Sequence, residues 1–518
     1  MVYSDSLGHA IPLDFVGLSF EASHIGDTIQ FSISDSSMSM LLRQIGPGVI
    51  RIGGNSVDKD ATPFDSIRYD RFFAFVKKTG WKLMQGLTLG TFDTVKAVQV
   101  AQLAIASILT NLYSFEVGNE PDLFSENGLR PATWDLSDYE KEFEEYETAI
   151  HSSLPKAPFS GPTTASSTTT WAVPFAAQEA SNIMLLTQHY YAEGPAGDTT
   201  VTIGKLLSRA TRASLLKTMA LVHNAAQGAS VPARISECNS VYDGGQKGVS
   251  DVFASSLWAA DIMFSLADAG ISGVNFHGGG TGNYTPLAVS SSGAVSVRPE
   301  YYGIMLFRYA AWGSFVRSKV SDTVANIGIY PMLCGNDSMR VVFINKDSLT
   351  SYEVTVTGIP FNGPASIVRL NAPSLHSTSG ILLGGDSIGV ILPWAPTNYE
   401  AVPDSQNGFL VSIPAASAGV LTVKRQSNGT KYGVSLQQPP PIQVRVIKGS
   451  LCLQAPAGER VGILLYGING RILARKELRS NGSQMQIPLL TKLMGGVGML
   501  AIRIGNATVA KLVLPDLF

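Results

Sequence analysis

Two glutamates follow apolar, strand-like runs and could act together as a pair of carboxylic groups. Glu120 follows the run Tyr113–Gly118 in YSFEVGNEPD, where Pro121 stops the pattern. Glu237 lies in the run 231–240, VPARISECNS. A carboxylate at the end of a buried strand costs free energy unless it is used, and parallel barrels build their active sites at strand ends. The sequence therefore predicts a proton-transferring Glu120 that meets a second carboxylate from another strand.

A structural role is the alternative for each glutamate. Glu237 could be a strand-end residue capped by its neighbours Ser236 and Ser240. Glu120 has a smaller chance of such a role, because Asn-Glu-Pro at a strand end is a more specific pattern. Because the two glutamates are predicted on strands that face each other, we favour a role in which both carboxylic groups act together in chemistry.

Eight strand-and-helix units are predicted to position the two glutamates. The apolar runs are 15–21, 49–56, 82–90, 113–120, 157–165, 182–191, 231–240 and 272–280, and a helical pattern follows each of them. Eight such units over residues 12–313 predict a (β/α)8 barrel. The competing doubly wound sheet needs a phosphate loop after its first strand, and GLSFEASH is not one. Glu120 would then stand on the fourth strand and Glu237 on the seventh, across the barrel mouth.

Short strands replace this alternation in the rest of the chain. Residues 314–428 predict a β-sandwich, which residues 1–11 are candidates to join. Residues 429–442 are polar and Pro-rich, as in a linker. Residues 443–518 predict a third, small all-β unit.

Charge and cysteine usage exclude several classes of protein. Residues 1–313 carry 20 Lys+Arg and 30 Asp+Glu, whereas residues 444–518 carry 10 and 3. An acidic barrel disfavours nucleic acid and long polyanions as partners. The three cysteines are too far apart in sequence for a disulfide framework or a metal motif, and no apolar run is long enough to span a membrane. No cofactor and no metal are expected, since His189 and His277 fall on different strands.

Further polar residues lie at the predicted strand ends. Glu21 on the first strand could accept hydrogen bonds from substrate hydroxyls, or instead form an internal pair with Arg51. Asn55 and Ser56 close the second strand at Gly53-Gly54, where a plain tight turn is equally expected. Tyr190 and Tyr191 end the sixth strand, and one of them should point inward to Glu237 or the substrate. For either tyrosine alone, core packing is an equal alternative.

Five motifs together resemble glycoside hydrolase family 79, the family of β-glucuronidases and heparanase. They are GNEPD (118–122), QHYYAEG (188–194), SECNSVYDGG (236–245), NFHGGGTGNY (275–284) and RPEYYGIMLFRY (298–309). The resemblance covers about residues 12–430 and implies a retaining glycosidase with Glu120 as acid/base and Glu237 as nucleophile. It further implies that Asn119 donates a hydrogen bond to the sugar 2-hydroxyl.

The same resemblance assigns substrate contacts after the seventh and eighth strands. It implies that the Tyr242 hydroxyl and the Gly244 N–H hold the carboxylate of a uronic acid, and that His277 and Tyr284 contact the sugar. His277 alone would more often be structural. Neither 236–245 nor 275–284 contains Lys or Arg, so the carboxylate would rest on neutral donors. A neutral sugar would need no cation either.

The leading hypothesis is an exo-acting β-glucuronidase that removes one terminal glucuronate. Heparanase-like cleavage within a sulfated chain should demand a basic cleft, which the acidic barrel disfavours. A β-glycosidase of the same clan on neutral sugars is the second reading, and a non-catalytic carbohydrate-binding surface protein is the third. The sequence leaves the oligomeric state open.

The last residues suggest a destination. LLYGINGRIL and IRIGNATVAKLVLP resemble the C-terminal sorting domain of type IX secretion in Gram-negative bacteria. The resemblance implies a secreted or cell-surface protein, although no signal peptide is visible at the N-terminus and a cytoplasmic location remains the alternative. The sequon Asn283-Tyr284-Thr285 beside a predicted substrate contact favours a host that does not glycosylate it.

Overall fold

The computed structural model of the protein describes residues 1–34, 37–59, 62–335, 337–389, 394–405 and 408–425, and seven strands between residues 443 and 514. The chain divides into two compact units, Met1–Gln426 and Ser427–Phe518. The predicted linker 429–442 lies outside the described residues. Within the described part, no helix combines the length and the apolar character that a membrane crossing requires.

A closed ring of eight parallel strands forms the centre of the first unit. The N-terminal strand β1 (Val2–Ala10) lies outside this ring. The ring consists, in order, of β2 (Val16–Glu21), β3 (Val49–Gly53), β4 (Lys82–Leu87), β5 (Leu112–Val117), β6 (Phe159–Thr164), β7 (Leu185–Glu193), β8 (Ala233–Val241) and β9 (Val274–Gly278). Every residue of β3, β6 and β8 is buried, as expected for parallel strands covered on both faces. The predicted (β/α)8 barrel is confirmed.

Helices connect the barrel strands and cover the ring. They are α1 (Ser37–Ile45), α2 (Ser56–Lys59), α3 (Ser66–Thr79), α4 (Thr94–Ile108), α5 (Leu136–His151), α6 (Val173–Gln178), α7 (Ile203–Leu206), α8 (Arg209–Gly228), α9 (Phe253–Asp268) and α10 (Pro299–Ala310). Side chains cap the longer helices at their first turns: Asp65 precedes α3, Asp93 precedes α4, and Asp135 precedes α5. Helix α9 is buried along nearly its whole length, because it lies between the barrel and the domain that follows.

Antiparallel strands make up the rest of the first unit. The hairpin β10 (Leu287–Val289) and β11 (Val295–Val297) follows the barrel ring. Ten strands follow: β12 (Ser314–Ser318), β13 (Ile327–Cys334), β14 (Ser338–Asn345), β15 (Tyr352–Val356), β16 (Ala365–Asn371), β17 (Leu382–Leu383), β18 (Glu400–Ala401), β19 (Asp404–Ser405), β20 (Gly408–Ile413) and β21 (Ser417–Lys424). One sheet runs β1-β12-β13-β14-β21-β16-β17, with β18 beside β16, and a second runs β15-β20-β19.

A small apolar core lies between these two sheets and includes Phe343 and Val411. This arrangement confirms the predicted β-sandwich. We keep 313/314 as the proposed boundary between barrel and sandwich, because α10 ends at Ala310 and β12 begins at Ser314.

The second unit is all-β in its described part, as predicted. Its strands are β22 (Gln443–Ile447), β23 (Ser450–Gln454), β24 (Arg460–Tyr466), β25 (Ile472–Arg479), β26 (Met485–Pro488), β27 (Gly498–Ile504) and β28 (Ala507–Leu514). They form a three-stranded sheet, β22-β23-β26, and a four-stranded sheet, β25-β24-β27-β28.

A buried ion pair links the barrel to the sandwich within the first unit. Lys346, just after β14, places its Nζ 2.5 Å from Oδ2 of Asp261 in α9. The Tyr330 hydroxyl donates to Asp261 Oδ1 at 2.6 Å. Burial opposes the charge on Asp261, but Lys346 and Arg212 outweigh it and lower the pKa of the carboxyl.

Replacing Lys346 with Met is expected to destabilise the first unit by about 3 kcal/mol, because the Asp261 carboxylate stays buried without its closest cation. Urea unfolding followed by tryptophan fluorescence should show a lower midpoint. Lys424→Met, which removes an exposed lysine from β21, is the matched control and should change stability by less than about 0.5 kcal/mol. Equal midpoints for the two variants would contradict this account of the junction.

Candidate active site

Glu237 is held in the barrel interior by two hydrogen-bond donors and a neighbouring imidazole, from three strands. The Tyr191 hydroxyl on β7 donates to its Oε1 at 2.8 Å, and Arg51 Nη1 on β3 donates to its Oε2 at 2.6 Å. His277 Nδ1 on β9 lies 3.4 Å from the same Oε2. Burial disfavours the carboxylate, but His277, His189 and Arg51 outweigh it and lower the pKa of Glu237 to about 2. Glu237 is therefore a fixed, ionised carboxylate.

Neither serine next to Glu237 caps it. The Ser236 hydroxyl is buried without a hydrogen-bond partner, and the Ser240 hydroxyl bonds Asn239 and Ser250. The predicted capping of Glu237 by these two serines is thus wrong, because the donors to this carboxylate come from other strands.

Glu120 stands three residues beyond the end of β5 and points towards Glu237. Its backbone has φ 51° and ψ 54°, a left-handed conformation that few non-glycine residues adopt. Its N–H donates to the Thr163 carbonyl on β6, which fixes the turn. One oxygen of Glu120, one ring nitrogen of His189 and one oxygen of Glu237 all lie within 4.8 Å of one another. The fourth and seventh barrel strands therefore bring the two carboxyls together, and a retaining glycosidase requires a separation of about 5–5.5 Å.

His189 on β7 is the direct neighbour of Glu120. Its Nδ1 lies 2.9 Å from Glu120 Oε1, and its side chain is fully buried. In the parallel ladder His189 is paired with Glu237 on β8, which explains why one imidazole reaches both carboxyls. The sequence had offered His189 no chemical role.

Arg51 connects both halves of the site and was missed as a site residue. Besides Glu237, it donates to Glu116 Oε2 at 2.6 Å, to Asn119 Oδ1 at 3.0 Å and to the Ser19 hydroxyl at 3.2 Å. Its side chain is completely buried. The available signal was a charged residue in the middle of each of two apolar strands, VIRIG and LYSFEV, because a buried charge needs a partner.

Asp58 in α2 was also missed, and it fixes the loops that carry Asn119 and Glu120. Its Oδ1 accepts the N–H groups of Leu89 and Gly90, and its Oδ2 accepts the N–H of Asn119 at 2.7 Å. Burial raises the pKa of Asp58 to about 6, against these N–H donors that favour the charged form. Asp58 thus ties the loop after β4 to the loop after β5.

Glu21, Asn55 and Ser56 meet at the ends of β2 and β3. Glu21 Oε2 accepts the Ser56 N–H at 2.9 Å and the Ser56 hydroxyl at 2.5 Å. Asn55 Oδ1 accepts from Asn119 Nδ2 at a long 3.4 Å. The alternative pairing of Glu21 with Arg51 is wrong, because Arg51 points into the barrel, where Glu116 and Glu237 satisfy it.

The two tyrosines of β7 separate as strand geometry requires. Tyr191 faces the site and bonds Glu237, whereas Tyr190 packs against the apolar core. Tyr284 is 9% exposed, and its ring centroid lies 6.4 Å from that of Tyr191 and 6.0 Å from that of His277. Tyr191 and Tyr284 therefore form an aromatic wall beside Glu237.

Tyr242 and Gly244 lie on the loop after β8. Tyr242 is 41% exposed, and its ring centroid is 6.2 Å from that of Tyr191. Gly244 has φ +87°, and its carbonyl accepts the N–H of Asn283. These contacts place the loop beside Tyr191 and Tyr284.

Part of the chain matches a known protein family, and two proteins of named activity align with it. Residues 68–263 match the family model described as glycosyl hydrolase family 79, N-terminal domain. A β-glucuronidase of Aspergillus niger is 24% identical over 454 residues, covering 72% of this chain and 83% of the relative. A β-glucuronidase of Neurospora crassa is 26% identical over 215 residues, covering 37% of this chain and 38% of the relative.

Solved structures share the fold. A 4-O-α-L-rhamnosyl-β-D-glucuronidase from Fusarium oxysporum 12S has a TM-score of 0.68 at 21% identity, covering 82% of this chain and 99% of that one. An α-L-arabinofuranosidase from Thermotoga maritima has a TM-score of 0.60 at 14% identity, covering 82% and 99%. The chain is a glycoside hydrolase built on a (β/α)8 barrel, and its matches support family 79.

Proposed function

We propose that the protein is a retaining, exo-acting β-glucuronidase that hydrolyses terminal β-linked glucuronic acid by double displacement. The observation that carries this proposal is the approach of one oxygen of Glu120 to one oxygen of Glu237 within 4.8 Å, closer than the about 6.5–9.5 Å that separates the two carboxyls of inverting glycosidases. The relatives named β-glucuronidase supply the substrate class.

In the first step of the proposed mechanism, Glu120 donates its proton to the glycosidic oxygen while Glu237 attacks the anomeric carbon. The bond between that carbon and the leaving oxygen breaks, and a glycosyl ester of Glu237 forms. Arg51 and Tyr191 keep the Glu237 carboxylate ionised and aimed before the attack. Asn119, whose Oδ1 is held by Arg51, would present its Nδ2 to the sugar 2-hydroxyl.

In the second step, the ionised Glu120 takes a proton from water and the resulting hydroxide attacks the anomeric carbon. The ester bond breaks, Glu237 returns to its carboxylate and glucuronic acid leaves with its original β configuration. His189 Nδ1 at 2.9 Å is placed to orient Glu120 in both steps.

The substrate carboxylate is proposed to bind on the loop after β8. The Tyr242 hydroxyl and the Gly244 N–H would donate to it, and His277 and Tyr284 would border the ring. Neutral donors can hold an anion when the fold orients them in advance. Glu21, fixed by Ser56, would accept bonds from sugar hydroxyls on the opposite side.

A substrate panel tests the proposal. Nitrophenyl β-glucuronide is expected to exceed the matching glucoside and xyloside in kcat/KM by about 100-fold or more, because unpaired donors reject the neutral sugars. Proton NMR during turnover should show the β-anomer of glucuronic acid first. An α-anomer first would overturn the retaining mechanism. Equal rates on the neutral sugars would overturn the substrate class.

We further propose export with residues 443–518 as a sorting domain. The support is the sequence resemblance and the all-β fold of the described strands in this region. Whether this segment is cleaved does not affect the chemistry above, because all the residues assigned to the site lie in the first unit.

A further inference from the structure

His277 lies between the carboxylates of Glu237 and Glu21. The two steps of the double displacement give this histidine no role. Its Nδ1 lies 3.4 Å from Glu237 Oε2, and its Nε2 lies 3.7 Å from Glu21 Oε1. The Ser19 hydroxyl is 3.1 Å from Nδ1, and β2 pairs Ser19 with His277 in register. Each ring nitrogen therefore faces a carboxylate on a different barrel strand.

Only the doubly protonated ring can serve both carboxylates. A neutral imidazole carries one N–H and can direct it to only one of Glu237 and Glu21, whereas the imidazolium has two. Arg51 already donates to Oε2 of Glu237, and Ser56 already donates to Oε2 of Glu21. The Glu21 Oε1 is left to the Nε2 side of His277.

The surrounding charges favour the imidazolium. Burial disfavours it, but the Glu237 and Glu21 carboxylates outweigh both burial and the nearby Arg51 guanidinium, so the pKa of His277 is raised above its usual value. The other groups around the ring are neutral: the Ser19 hydroxyl, and the edge-on Tyr284 ring at a centroid distance of 6.0 Å. Asn239 Nδ2 holds the backbone carbonyl of His277 at 2.7 Å, which fixes the residue in place.

We propose that His277 works as an imidazolium that bridges Glu237 and Glu21, a positioning residue that couples the nucleophile to the carboxylate bordering the sugar. This inference rests on the proposed function, in which Glu237 is the nucleophile and Glu21 accepts hydrogen bonds from the sugar. The bridge is complete in acid and is lost as the pH rises through the raised pKa of His277, above the usual value of about 6.5. Activity should fall on the alkaline side for this reason, independently of the acid/base glutamate.

The experiment separates this loss from deprotonation of Glu120. The assay uses a Glu120→Ala variant with dinitrophenyl β-glucuronide, whose leaving group departs without a proton. The acid/base residue therefore cannot shape the pH profile. In this background kcat/KM is expected to fall as the pH rises past the usual histidine pKa of about 6.5. The same profile with Glu120→Ala/His277→Gln should be flat there and about 10- to 100-fold lower at pH 6, because one donor to a charged group is lost. A flat alkaline profile with His277 present would overturn the proposal.

A second measurement is independent of turnover. In protein labelled with ¹⁵N-histidine, the His277 ring signals, identified by their absence in His277→Gln, should titrate with a midpoint above 6.5. A midpoint at or below 6.5 would overturn the bridge, even if the protein hydrolyses glucuronides. If the substrate panel failed while this midpoint was high, the bridge would stand and the proposed substrate would fall. His376→Gln, on an exposed loop of the sandwich, is the matched control and should change neither profile.

Discussion

Replacing Glu237 with Gln is expected to lower kcat by at least about 10⁴-fold on every glycoside, activated or not. The amide has the shape of the carboxylate but cannot form the glycosyl ester. Arg51 and Tyr191 each bond one oxygen of Glu237, so the native carboxylate is fixed in place before the attack. Rates on nitrophenyl β-glucuronide, with circular dichroism to verify the fold, provide the measurement.

The matched control for this variant is Glu126→Gln, an exposed glutamate on the loop after β5. It should retain wild-type rates. A Glu237→Gln protein that kept near wild-type turnover would remove Glu237 from the chemistry and with it the double displacement.

Replacing Glu120 with Ala is expected to have an effect that depends on the leaving group. Substrates with poor leaving groups should lose about 10³-fold or more in kcat/KM, because the departing oxygen receives no proton, whereas dinitrophenyl glucuronide should lose far less. Its hydrolysis should stall at the glycosyl ester, since no base activates water. Sodium azide should then restore turnover by attacking the ester and giving β-glucuronosyl azide.

The azide product provides the discriminating control. Azide should not accelerate the wild-type enzyme, in which the Glu120 carboxylate repels the anion. A uniform loss on all leaving groups, without rescue, would instead assign Glu120 a structural role.

The barrel architecture and the proximity of Glu120 and Glu237 could be predicted from the sequence, for physical reasons. Eight apolar runs of strand length, each followed by a longer periodic segment, allow few alternatives to a closed ring, and a ring with Glu120 and Glu237 on its fourth and seventh strands must bring them together. The inward tyrosine could only be one of two candidates, and the structure selects Tyr191.

The residues that escaped prediction are those whose roles depend on distances between strands. Arg51 meets Glu116 and Glu237, which are 65 and 186 residues away in the chain, and no local pattern encodes such partners. Asp58 looks like an ordinary acidic residue of a short helix until its three N–H donors are seen. The Glu237–His277–Glu21 arrangement likewise exists only when β2, β8 and β9 are neighbours.

The pairing of β1 with β12 affects how the chain is made. A ribosome that adds about 5–20 residues per second completes β12 roughly 15 to 60 s after β1. For that time β1 waits without its partner while the whole barrel is synthesised. Its sequence, VYSDSLGHA, suits this delay, because Ser4, Asp5 and Ser6 make it a poor template for intermolecular strand pairing. The sandwich can therefore close only after the barrel has been made, so an arrested nascent chain ending before β12 should expose this strand to protease.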